Sequence, residues 1–195
     1  MRQPLPVPPS PIAHFAAHPA VLPAIRAACV NLVVWRRGHA PAAAPDLLRA
    51  IPFSVRSEGR PREAARAALR ACPARMPRAP QAMLVAMARR FAQVTGTKHI
   101  VLRVDGVADD ACRKFHADSV GIRLLWTWVG RGTELIPGGK GHIRRLRAGD
   151  VALLKGEAWP GNRGRGAIHR SPPVAHLPRR LRRRVLVVMD TLAED

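Results

Sequence analysis

At 195 residues, 47% of them apolar, the chain is long enough for one domain with a sizeable core and too hydrophobic to stay disordered. Its formal charge of +20 invites a polyanion-binding reading, but only four of the 33 basic residues are Lys (Lys98, Lys114, Lys140, Lys155), which leaves 29 Arg, and Tyr is absent. With abundant Ala and Pro, that is the joint bias of a GC-rich genome, so a solvated basic surface is favoured over nucleic-acid binding, which stays a possible but unfavoured function.

Three cysteines (Cys29, Cys72, Cys112) without C-x-x-C spacing argue against a disulfide framework or a zinc finger and fit a reducing bacterial cytoplasm. The Pro-rich start lacks the continuous apolar stretch of a signal peptide, and no segment approaches the roughly 18 apolar residues of a membrane span. The expectation is a cytoplasmic protein with no membrane partner.

In chain order, residues 1–18 read as a disordered Pro-rich tail and 19–96 as mainly helical. EAARAAL at 63–69 has high helix propensity. The spacing of Met83, Met87, Phe91 and Val94 predicts a helix over 81–94, stopped by Gly96. NLVVWR at 31–36 is short and β-branched, a candidate first strand. From 97 to 195 the texture changes to short β-rich runs at 99–104, 121–129, 150–155, 166–169 and 184–189. Gly-, Pro- and Asp-containing turns separate these runs, and no helical periods intervene. Strands so spaced form a sandwich or barrel. The predicted fold class is α+β, a helical N-terminal half packed on a C-terminal β-barrel within one continuous structural domain.

Alternate side chains of an extended segment share a face, so His116 and Asp118 in CRKFHAD point the same way. His169, 53 residues on, can join them from another strand. Two imidazoles and one carboxylate on one face of an octahedron leave the opposite positions open, which suits Fe(II) that must bind a co-substrate and dioxygen. An Arg aimed into the barrel can hold the distal carboxylate of a keto-acid. Arg184 is the first candidate, because in the run 179–184 it alone continues into the apolar strand RVLVVMD. Lys155, ending DVALLK, is the second, and Arg123, inside GIRLLWTW, the third. Trp126, Trp128 and Trp159 are candidate pocket walls, although Trp in an apolar strand is more often core. A Cys112, His116 and Asp118 set has a spacing that zinc accepts. No G-x-S-x-G surrounds Ser119 or Ser171, and GGKG at 138–141 lacks the rest of a phosphate loop.

CRKFHAD, RLLWTWVGRGTEL, GDVALLKGEAWPGN, GRGAIHRSPP and RVLVVMD together resemble the bacterial family known as domain of unknown function 1826, over about residues 31–190. That resemblance implies a functional link to a zinc-related GTPase of the CobW type, and so a role in metal supply. More distantly, the chain resembles the Fe(II)/2-oxoglutarate oxygenases of the double-stranded β-helix (jelly-roll, cupin-like) fold. This second resemblance implies His116, Asp118 and His169 as metal ligands and Arg184 as the 2-oxoglutarate clamp. The barrel Tyr of those enzymes has no counterpart here, and Lys155 stands where they often place an aromatic. The functional expectation is thus a metal-binding protein of the non-haem Fe(II) oxygenase type, with 2-oxoglutarate as co-substrate. The alternatives are a non-catalytic Zn(II) protein of metal homeostasis and, third, a nucleic-acid binder.

Overall fold

The computed structural model describes residues 10–39, 45–110 and 112–192. The chain begins with β1 (Ile12–Ala16), a 3-10 segment (Pro19–Arg26) and β2 (Val30–Trp35), then α1 (Pro45–Arg49), β3 (Phe53–Gly59), α2 (Pro61–Ala71) and α3 (Arg78–Thr95). The second half runs β4 (Ile100–Val107), β5 (Ile122–Val129), β6 (Glu134–Ile136), β7 (Arg144–Arg145), β8 (Val151–Lys155), β9 (Ile168–Arg170), α4 (Arg179–Arg182) and β10 (Arg184–Thr191). Among the described residues, seven strands form one sheet in the order β1-β2-β8-β5-β10-β4-β3, and three form a second, β7-β6-β9.

Alternation along the strands of the large sheet creates two cores. On β5, Ile122, Leu124, Trp126 and Trp128 join one cluster with Leu84, Met87, Ala88 and Phe91 of α3. Leu125 faces the other way, with Leu32, Val34, Ala152, Leu154 and Val188, against Leu135 of the small sheet. Helices therefore cover one face of the large sheet and the small sheet covers the other. Arg123 and Thr127 share the inward parity of Leu125, while Arg184 and Asp190 share that of Val188.

The helix expected over 81–94 spans Arg78–Thr95 and stops at Gly96, whose φ of +79° suits glycine and whose N–H caps Ala92 O at 2.8 Å. The mainly helical reading of 19–96 needs correction. β2 lies where a first strand was expected, but β3 adds a second strand within that stretch, at the sheet edge. Its sequence FSVRSEG buries only Val55, so it carries almost no apolar alternation to read. The disordered tail expected over 1–18 also gives way in part. Ile12–Ala16 is a strand paired in parallel with β2, and residues 1–9 lie outside the described residues. No helix among the described residues is long and apolar enough to cross a membrane.

The small sheet is pinned by one carboxylate. Glu134 on β6, 3% exposed, accepts from Arg145 of β7 and from Arg170 Nε of β9 at 2.8 Å. Burial pushes its pKa up, but the two guanidinium groups outweigh that and hold it below the usual glutamate range. A depressed carboxylate pKa contributes stability above the unfolded-state value and loses it as pH falls through the folded one. Glu134→Gln is expected to cost about 1–3 kcal/mol at neutral pH. It should also flatten the fall of stability below about pH 4.5, as measured by urea unfolding at a series of pH values.

Candidate metal centre

The site is built on a backbone bridge. His116 lies outside the named strands, yet its N–H donates to His169 O at 3.0 Å and receives the reciprocal bond from His169 at 2.9 Å. The two residues thus sit directly opposite, with ring centroids 4.6 Å apart. Asp118 follows two residues on. His169 Nε2 lies 3.2 Å from Asp118 Oδ2, and His116 Nε2 lies 3.6 Å from Oδ1. Side-chain exposures of 38% for His116, 13% for Asp118 and 8% for His169 give the cluster one open side, at His116.

The segment bearing Asp118 is held from the far side by the turn after β8. Gly156 N–H donates to Gly121 O, Glu157 N–H to Asp118 O and Ala158 N–H to Val120 O. A Cβ on Gly156 would come within 2.3 Å of Val120 O and 2.6 Å of Asp118 O, so only glycine allows this approach. Asn162, itself buried, donates from Nδ2 to Gly156 O, and Glu157 accepts from the N–H groups of Gly164 and Gly166. The GEAWPGN stretch is therefore a frame for Asp118.

The donor set fits a divalent cation. His116 Nδ1 lies 2.9 Å from Lys114 O and His169 Nδ1 lies 3.1 Å from Ala167 O. A carbonyl only accepts, so both rings carry their proton on Nδ1. In the neutral tautomer each Nε2 is then a bare lone pair. Asp118 Oδ2 is buried with no hydrogen-bond partner among the described residues. The three ligand atoms all lie within 4.8 Å of one another. Ligand atoms at right angles, about 2.1 Å from an ion, stand about 3 Å apart; His169 Nε2 and Asp118 Oδ2, at 3.2 Å, already have that spacing.

The other expected residues separate. Arg184 opens β10 on the inward face, 5% exposed, with Nη2 donating to Ser171 Oγ at 3.0 Å and Nη1 reaching Arg131 O at 3.5 Å. No carboxylate lies within ion-pair distance of it among the described residues. Burial lowers its pKa to about 10, with only longer-range help from Asp105, Cys112 and Asp109. Lys155 does not join this face. It has the parity of Val151 and Leu153 toward the helices and is fully buried, donating to Ala27 O at 2.8 Å and standing 5.2 Å over the Trp159 ring. Arg123 lies between the two sheets but is already committed to carboxylates, at 2.7 and 2.8 Å from the two oxygens of Asp190 and 2.8 Å from Asp118 Oδ1. Trp126 and Trp128 belong to the helix-side core, and Trp159 packs against it. Cys112 is exposed and stands outside the ligand group; its carbonyl accepts from Ser171 N–H.

Two residues escape a reading of sequence alone. Ser171 was legible only as a hydroxyl two positions after His169, a spacing that puts both on one side of an extended segment. Thr127, inward on β5 and paired with Leu186, holds a buried Oγ1 with no partner among the described residues. Nothing in an apolar run announces it.

Fold and site together define a mixed α+β protein whose facing sheets hold a two-histidine, one-carboxylate cluster. The chain belongs to the family described as Protein of unknown function (DUF1826), which matches residues 16–190. No curated protein matches it. Among solved structures, the dioxygenase for auxin oxidation from rice is similar at 16% identity, with 95% of this chain and 84% of that chain covered and a TM-score of 0.54. A structure titled "Putative oxygenase from Shewanella oneidensis" is similar at 9% identity, covering 93% and 89%, with a TM-score of 0.50. Such identities show a shared fold alone.

His116→Ala, Asp118→Ala and His169→Ala are each expected to lose stoichiometric divalent metal, measured by elemental analysis after dialysis, while far-UV circular dichroism stays that of the unaltered chain.

Proposed function

We propose that this chain is a non-haem Fe(II) oxygenase of the double-stranded β-helix fold that uses 2-oxoglutarate as co-substrate. The observation that carries the reading is Arg184. A guanidinium withdrawn from water costs several kcal/mol unless it is paired, and here its hydrogen-bond partners are a hydroxyl and a carbonyl. A fork of N–H donors without an anion is a site built for a carboxylate.

Its position fits the co-substrate. Ser171 lies two residues beyond His169, about 7 Å along an extended chain. An anion on Arg184 and Ser171 is therefore one short dicarboxylate away from the metal cluster. The Ser171 hydroxyl fills the role that the absent Tyr leaves open. Charge agrees as well. A divalent ion with Asp118, Asp190, Arg123 and Arg184 leaves two positive charges in the interior, which a dianionic keto-acid neutralises. A site serving only zinc storage would have no use for Arg184.

In this reading His116, Asp118 and His169 hold the metal, Arg184 and Ser171 fix the remote carboxylate, and the inward apolar residues Leu125, Leu154 and Val188 exclude water. Bound Fe(II) supplies the redox chemistry that couples dioxygen reduction to oxidation of keto-acid and substrate.

Anaerobic protein loaded with Fe(II) is expected to develop a visible charge-transfer band on adding 2-oxoglutarate. Arg184→Met should retain the metal and weaken the keto-acid titration by about 100-fold or more, the loss of a buried charge-assisted pair. Tight zinc with no response to the keto-acid would overturn the assignment.

A further inference from the structure

Arg123 has the wrong partners for a keto-acid clamp, and those partners point to another task. Buried in the middle of an apolar strand, it needs compensation, and Asp190 stands opposite it in the β5–β10 register. Nε and Nη2 take the two Asp190 oxygens, which fixes the plane of the guanidinium and leaves Nη1 aimed at Asp118 Oδ1, 2.8 Å away. Burial opposes its charge, but the two carboxylates outweigh that and strengthen it. Oδ1 is therefore engaged by a fixed cation, while Oδ2 faces His169 Nε2 without a hydrogen bond.

We propose that Arg123 and Asp190 form a positioning pair that makes Asp118 a one-oxygen metal ligand through Oδ2. The inference rests on the metal site proposed above. An octahedral ion held by three protein atoms has three positions left, two for a chelating keto-acid and one for dioxygen. A carboxylate free to turn could take two positions and remove one of these. Arg123 prevents that, since two-oxygen ligation would break a charge-assisted bond. The same strand that opens with Arg184 carries Asp190 near its other end, so β10 contributes to holding both the co-substrate carboxylate and the metal carboxylate.

The full-length chain, its Arg123→Gln, Arg123→Lys and Asp190→Asn variants and the Arg123→Gln/Asp190→Asn double variant can be titrated with Co(II) against a chromogenic chelator while the d–d absorption is recorded. The unaltered chain is expected to bind one Co(II). Arg123→Gln and Asp190→Asn should bind it about 10–100-fold more weakly with an altered d–d spectrum. The double variant should be no weaker than Arg123→Gln alone, and Arg123→Lys should recover part of the loss. The near-isosteric Asp190→Asn keeps the test open if Arg123→Gln fails to fold. Folded variants with the affinity and spectrum of the unaltered chain would overturn the inference and leave Arg123–Asp190 a strand-pairing ion pair. An unaltered chain that binds no Co(II) would instead overturn the metal site itself.

Discussion

The paired backbone hydrogen bonds between His116 and His169 are the constraint on which the site depends. They dock a segment outside the strands against β9 and bring two imidazoles together, their rings tilted by 44° with centroids 4.6 Å apart. Glu134 holds β9 to β6 through Arg170, so the second histidine is anchored to a sheet rather than a loop. The turn at 156–158 holds the opposite side, bonding to the carbonyls of Asp118, Val120 and Gly121. A ligand set so framed keeps its lone pairs converged without a metal, and Asp118 Oδ2 remains buried and unsatisfied as the cost of that preorganisation.

The space between the two sheets is organised by charge as much as by apolar packing. Leu32, Val34, Leu125, Ala152, Leu154 and Val188 form a dry lining, and into it project Arg123 with Asp190 and, separately, Arg184. The two arginines differ in one respect that decides their roles. Arg123 is saturated by two carboxylates, whereas among the described residues Arg184 meets neutral acceptors. On the proposed reading, the first is internal structure and the second receives the incoming carboxylate.

Much of this was legible from residue pattern. The convergence of His116, Asp118 and His169 is readable because alternation in an extended segment is local geometry, and the burial of Arg184 because one arginine of the dense run continues into an apolar strand. That run then divides as continuity suggests, with Arg179–Arg182 in a short exposed-to-intermediate helix and Arg184 buried. Lys155 misled because parity along β8 cannot say which face is the interior. Its strand is buried on both sides, and the lysine turned to the helices. Arg123 is legible as a charge within an apolar strand, but its pairing is not, since Asp190 lies 67 residues away and its register is a tertiary fact. β1 and β3 were missed because edge strands bury little and carry weak alternation.

The central claim is that one divalent ion is held by these three side chains. The most direct measurement is an anomalous difference map at the iron edge from crystals grown anaerobically with Fe(II). The account predicts a single peak about 2.1 Å from His116 Nε2, His169 Nε2 and Asp118 Oδ2, with Asp118 Oδ1 still on Arg123. A peak elsewhere, or none at these atoms while iron is bound in solution, would contradict it.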